Sequence, residues 1–281
     1  QSGIDIEPNN ASALIDGALV YVSGAEFKSN VHRGILTSGT PASGSINLVV
    51  SGCVFSGNSV NAIETVHDLV VSGCVFVDCN GSDVAAIQQN SGTGTATKTV
   101  VTGCQFTDCD QYAVRSTTDK TTVISDCIVR NSKGLVTADN GNLVVSGCIV
   151  ESPTTTALAL SQAVGNTSVT GCVIESTQNF ALFVNTPGYV NVTGCTFTGD
   201  NSQVIRCVRG NVNAQSNLFA SAGLALYMDE AGDTSILANN RMEGMDNPYF
   251  SAAAGEVVTF SNVVDGVATQ VSNSVQAYGA V

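Results

Sequence analysis

The chain has 281 residues, of which 43% are apolar and only 12% charged, and its 23 acidic and 10 basic side chains leave a net charge of −13. Such a surface repels phosphate backbones and anionic headgroups, so nucleic acid is excluded as a partner class, and no run of about 20 apolar residues is available to enter a membrane. No basic-then-apolar leader stands at the start, although opening on Gln1 rather than Met leaves room for a leader or a further N-terminal domain ahead of it.

Residues 1–20 read as an N-terminal cap and first strand, with a short capping helix expected over Asn10 to Asp16 to cover an otherwise open coil. From Tyr21 the chain repeats. Tyr21 to Phe27 is a degenerate first copy, with Ala25 in the slot that later copies give to cysteine. Seven copies follow the pattern Val49-Val50-Ser51-Gly52-Cys53-Val54-Phe55, and their slot residues are Cys53, Cys74, Cys104, Cys127, Cys148, Cys172 and Cys195. Three more put asparagine there, at Asn217, Asn240 and Asn262. The period is about 23 residues, and a unit that short cannot bury its apolar face alone, so successive units must stack.

Each unit divides in the same way. Apolar residues alternate with polar ones up to the slot residue, which points inward together with the residue two positions on. A polar turn follows, such as Ser56-Gly57-Asn58 or Asp108-Cys109-Asp110, and supplies the Gly, Asn and Asp that tight corners need. A second alternating stretch turns Ile63, Val114, Val136, Leu158 and Leu182 inward and leaves an outward stripe of Glu64, Gln88, Arg115, Thr137, Ala159, Phe183, Arg206 and Tyr227. Three short strands per turn, stacked in parallel with no helical period, resemble the right-handed parallel β-helix. The expected fold is all-β and single-stranded, with about 10–11 coils and a length of roughly 50 Å at about 4.8 Å per coil. Its hollow would hold ladders of cysteine and asparagine, and a stack of Phe55, Phe76, Phe106, Phe197 and Phe219.

Two insertions, residues 36–45 and 89–98, lengthen the same part of two coils and read either as binding loops or as tolerated additions. The β-helix is expected to span 21–265, with 266–281 as a C-terminal cap or oligomer contact. The seven slot cysteines, about 4.8 Å apart with parallel Cβ vectors, suit a disulfide poorly and read as reduced packing thiols. Cys79 and Cys109, each five residues past a slot cysteine, are the pair best placed for a disulfide. No C-x-x-C spacing suggests zinc, and no cofactor is expected beyond calcium at the turn aspartates.

The opening Gly3-Ile4-Asp5-Ile6-Glu7-Pro8 and coils of the form V-x-(G/N)-(C/N)-x-F resemble the right-handed β-helix superfamily, from residue 3 to about residue 265. That superfamily holds pectate-lyase-like enzymes, carbohydrate-processing β-helices and phage tailspikes, so the resemblance implies a fold and leaves the chemistry open. For a low-charge, Ser/Thr/Asn/Gly-rich chain without Trp, it implies a virion spike or fibre component.

The leading functional reading is therefore a structural or adhesion β-helix on a virion surface or outside the cell, offering a rigid surface to a host glycan or protein. By the same resemblance its partners would be copies of itself, a trimer being favoured, or other virion proteins. A polysaccharide hydrolase or lyase is the alternative, and a secreted bacterial surface repeat protein the third. Hydrolysis needs two carboxylates at a set separation, and stacked coils bring same-slot residues about 5 Å apart. Asp78 and Asp108 share such a slot with Asp110 close by, and Glu26 with Glu64 is the other candidate pair; the competing reading makes the aspartates solvated corner residues. A lyase would want an arginine base, and only Arg33 and Arg115 fit loosely. His32 and His67 read as surface histidines. For binding or subunit contact, the outward stripe offers Arg115, Phe183, Arg206 and Tyr227.

Overall fold

The computed structural model describes residues 3–6, 18–37, 46–80, 85–90, 98–117, 121–175, 180–199, 203–221, 223–229, 234–245, 249–251, 256–265 and 267–268. The expected capping helix at residues 10–16, most of both insertions and the tail beyond residue 268 lie outside the described residues. All regular structure among the described residues is β, in one 18-stranded and one 12-stranded sheet.

One coil shows the plan. Lys98–Thr102 approaches the slot, the short strand Gln105–Thr107 follows Cys104, and Tyr112–Ser116 returns along the far side. Each pairs in parallel with its counterpart one coil on, with Val100 opposite Val123, Phe106 opposite Val129 and Val114 opposite Val136. The sequence repeat and the sheet register therefore coincide, residue for residue. Approach and return strands build the larger sheet. The short strands build the smaller one, eleven in parallel from Glu26–Lys28 to Val263–Val264. In the later coils a return strand and the next approach strand run on as one, as in Gly134–Ser146 and Leu158–Thr170. The parallel order ends where Val267–Ala268 folds back antiparallel on Val263–Val264.

Two left-handed corners per coil explain the Gly, Ser, Asn and Asp that punctuate the repeat. The residue before the slot has positive φ throughout: 58° at Gly52 and Gly73, 61° at Gly103 and Gly147, 64° at Gly194. Glycine adopts this region freely, and Asp126, Ser216, Asn239 and Ser261 fill it in the other coils with short polar side chains. The second corner follows the short strand, at Ser29, Gly57, Asp78, Asp108, Asn131 and Ser152, again with positive φ.

The interior is filled slot by slot. All seven slot cysteines are buried, and all ten cysteines of the chain are free thiols. Phe27, Phe55, Phe76 and Phe106 stack with ring centroids 4.6–4.9 Å apart and nearly parallel planes. The expected single stack is in fact two: Val129, Val150 and Ile174 occupy three rungs before Phe197 and Phe219 resume at 5.2 Å.

Candidate functional site

The candidate acids do not come together as one group. Asp78 and Asp108 sit exposed on adjacent rungs at the second corner, with φ of 50° and 54°. A corner in the left-handed region favours short polar side chains that bond locally, which accounts for aspartate there without a ligand. Asn131 Nδ2 donates to Asp108 Oδ1 at 3.2 Å, and the backbone N–H of Asp110 donates to Asn80 Oδ1 at 3.2 Å. Glu26 and Glu64 lie on different sheets, Glu26 exposed on a short strand and Glu64 on a return strand. Behind the corner aspartates, Cys79 and Cys109 are buried free thiols on neighbouring rungs; a hydrogen bond to Cys109, and then burial, pushes the Cys79 thiol up. Among the described residues no group of three or more His, Cys, Asp or Glu side chains is set to hold a metal ion.

The outward stripe on the return strands is assembled as its spacing predicts. Glu64, Gln88, Arg115, Thr137, Ala159, Phe183, Arg206 and Tyr227 lie opposite one another on consecutive rungs. Its acids are engaged by arginines. Arg33 Nε donates to Glu64 Oε2, and Asn90 Nδ2 donates to Glu64 Oε1 at 2.8 Å. Arg115 Nε donates to Asp139 Oδ2 at 3.0 Å, while Ser161 Oγ holds Asp139 Oδ1 at 2.8 Å. Arg206 Nε donates to Asp229 Oδ2 at 2.9 Å. The last two pairs share one geometry: an arginine in the stripe reaches an aspartate two residues past the stripe position of the next coil.

Around Arg206 the stripe becomes aromatic. Its guanidinium lies 5.2 Å from the Phe180 ring centroid and 5.8 Å from that of Tyr227, and Phe180 stacks on Phe183 at 6.0 Å. The cation is thus held between two ring faces and anchored by Asp229, with its side chain still 36% exposed. Burial first, and then the charge of Asp229, pushes the Tyr227 phenol up. Thr137 and Ala159, both small, form the floor between this cluster and Arg115. Four rungs separate the two arginines, about 19 Å. The result is a rigid, partly exposed surface with ring faces and N–H donors at one end and a second arginine at the other.

Phe180, Asp139 and Asp229 were not singled out by sequence reasoning. A signal existed: extending the stripe by two residues reaches Asp139 and Asp229, each one coil on from an arginine. His67 corrects an expectation outright. It is buried, not superficial, because alternation runs unbroken through its corner and turns Thr65, His67 and Leu69 inward together. Neither ring nitrogen has a hydrogen-bond partner, and burial pushes the imidazole below its ordinary value, against the charge of Asp68.

A family model described as the right-handed β-helix region matches residues 68–242. No curated protein and no solved structure matches the chain. The matched span exceeds half the sequence and runs over the coils whose slots, corners and stripe are described above, so the chain belongs to the right-handed β-helix family.

Proposed function

We propose that the chain is a non-catalytic adhesion β-helix, carried on a virion or outside the cell, whose return-strand face binds carbohydrate through Phe180, Phe183, Arg206 and Tyr227. The supporting observation is the guanidinium of Arg206, fixed between the rings of Phe180 and Tyr227 and braced by Asp229. Flat rings accept the apolar faces of pyranose rings, while a fixed guanidinium supplies several N–H donors to hydroxyls or carboxylates with little side-chain entropy left to lose. Sheet strands beneath keep this spacing rigid. The competing reading, a glycan hydrolase, requires two carboxylates facing one bond. On this face Glu64, Asp139 and Asp229 are each taken by an arginine instead.

The test is a microarray of bacterial capsular and lipopolysaccharide glycans, with any hit followed by titration calorimetry and a reducing-end assay. Phe183→Ala and Tyr227→Ala are each expected to weaken a hit roughly tenfold or more, at about 1.5 kcal/mol per ring. No new reducing ends should form. Release of reducing ends that stops in Asp108→Asn or Asp110→Asn would establish the enzyme instead, and binding indifferent to both ring deletions would remove the strip from consideration.

A further inference from the structure

Seven thiols stand in one file inside the coil, and the surface reading above uses none of them. Cys53, Cys74, Cys104, Cys127, Cys148, Cys172 and Cys195 occupy consecutive rungs and are at most 1% exposed. They share one orientation. Each sulfur leans on the carbonyl two residues before it at 3.3–3.5 Å, from Ser51 O for Cys53 to Thr193 O for Cys195. Five of them also reach a carbonyl one rung back, at 3.6–3.8 Å. Cys104, Cys127, Cys148 and Cys172 each have a thiol partner on the rung before and another on the rung after. One orientation on stacked strands repeats the sulfur at the rung spacing, about 4.8 Å. That gap is far too wide for a disulfide, whose sulfurs lie about 2.05 Å apart, and all seven thiols are free. It is close to the span of two metal–thiolate bonds in line, each about 2.3 Å.

We infer that this file is a binding site for a soft monovalent cation, copper(I) or silver(I), seated between successive sulfurs. Soft closed-shell ions of this kind take thiolate ligands and are satisfied by two in line. Among the described residues no three His, Cys, Asp or Glu side chains converge to hold a metal, and a linear site needs only two donors at a time. The exchange balances in protons: an ion entering between two thiols expels both, and an inner sulfur then bridges the ions on either side of it. Seven thiols enclose six gaps, so a filled file holds six ions on seven thiolates, with one excess negative charge. A bare thiolate in this dry interior would be costly, whereas the bridged file is nearly neutral along its length. Backbone N–H groups meet the remaining charge, Cys53 donating to Cys74 Sγ at 3.4 Å and Cys172 to Cys195 Sγ at 3.5 Å. Cys79 and Cys109, partners on neighbouring rungs, form a second file with a single gap. Cys207 pairs with Val184 and Met228 on the return strands and belongs to neither file. The inference rests on the coil interior and is independent of the sugar-binding reading.

Both files are closed to solvent, so ions enter while coils are open, and the experiment loads them during folding. The reduced full chain is refolded from urea with excess silver(I) in chloride-free buffer, freed of loose metal by gel filtration, and weighed by native mass spectrometry. Seven ions are expected for the wild type, six in the long file and one in the short. Position then sets the loss. Cys127→Val, which removes an inner sulfur, should lose two ions, Cys195→Val at the end of the file one, and Cys207→Val none. X-ray absorption should show two sulfur neighbours for each silver. If Cys127→Val fails to refold, judged by far-UV circular dichroism, Cys148→Val carries the same expected loss of two. A chain that folds without retaining silver, inner and end variants that lose the same number of ions, or silver with three or more sulfur neighbours would overturn the assignment.

Discussion

Thiols fill the slot over seven rungs and amides over the last three, and the two chemistries bind coil to coil in different ways. In the amide region each polar atom is used. Asn240 Oδ1 accepts from the backbone N–H of Asn217 at 2.9 Å and from its Nδ2 at 3.1 Å, while Asn240 Nδ2 donates to Ala214 O at 2.9 Å and Asn262 Oδ1 at 3.1 Å. In the thiol region the same backbone N–H meets only sulfur, at 3.4 Å from Cys53 to Cys74 and 3.5 Å from Cys172 to Cys195. Cys127 Sγ leans on the carbonyls of Ser125 at 3.3 Å and Val101 at 3.7 Å. Sulfur is a weak partner, so these rungs depend on packing beside the phenyl stack, whereas the amide rungs depend on an identical neighbour. One hollow thus accepts a forgiving filler in one region and an exacting one in the other.

The sharpest way to break this comparison is to remove the middle amide. Asn240→Leu keeps the branched shape but strands the buried N–H of Asn217 and the carbonyl of Ala214, and removes one of the two bonds that Asn262 Oδ1 accepts from Asn240. At roughly 1–3 kcal/mol for each group left unpaired, a loss of about 4 kcal/mol is expected in urea unfolding. Cys127→Ala, which removes one sulfur from a packed rung, should cost only about 1.5 kcal/mol. Equal losses at the two positions would mean that the amides are as interchangeable as the thiols.

Extending the amide run is a finer test. Cys195 already donates its backbone N–H to Asn217 Oδ1 at 2.9 Å, and its sulfur already faces Val169 O at 3.6 Å. An asparagine at that rung finds both partners waiting, so Cys195→Asn should change stability by less than about 1 kcal/mol. Cys127→Asn, whose next rung offers only the sulfur of Cys148, should lose about 2 kcal/mol from an amide N–H left without its ladder acceptor. The difference between the two variants, measured in the same denaturant series, reports the worth of a like neighbour. A difference near zero would show that carbonyls alone satisfy the amide.

Much of this was legible because the repeat is nearly exact. Pairing of Val100 with Val123 and of Arg115 with Thr137 follows from slot counting, as does the row of left-handed corners from Gly103, Asp126 and Gly147. Slot counting fails where a side chain acts off its own rung. Asp139 and Asp229 matter through arginines one coil back, and Phe180 belongs to a turn rather than to any slot. Phe27 heads the aromatic stack from the degenerate first copy, whose slot holds Ala25 in place of cysteine. His67 went astray for a different reason. Corners are expected to face water, but alternation carried through this one and put an imidazole inside.

That histidine makes the last and smallest contrast, since it sets the thiol region apart in pH response. Inward polar side chains crowd these coils: Thr37 Oγ1 bonds Thr65 Oγ1 at 2.6 Å, Gln89 Nε2 donates to His67 O at 3.0 Å, and Gln89 also bonds Thr99. The corresponding return-strand positions further on are Leu160, Val184 and Met228. Burial holds the folded imidazole below the 6.5 of the free side chain, and Asp68, the neighbouring charge, opposes this only in part. The unfolded chain therefore binds the proton first as pH falls. Stability from this site is intact above pH 6.5 and is lost below it, until the pH passes the folded value. His67→Leu should abolish that component and keep or raise stability at pH 7.5, because two unpaired buried nitrogens disappear. Subtracting the variant's pH–stability curve from that of the wild type isolates the histidine from the acids. Hydrogen exchange should then show amides near residues 63–72 losing protection at pH 5.5 while those of the amide rungs keep theirs. A flat difference curve would mean that the imidazole gains a partner the packed corner does not reveal.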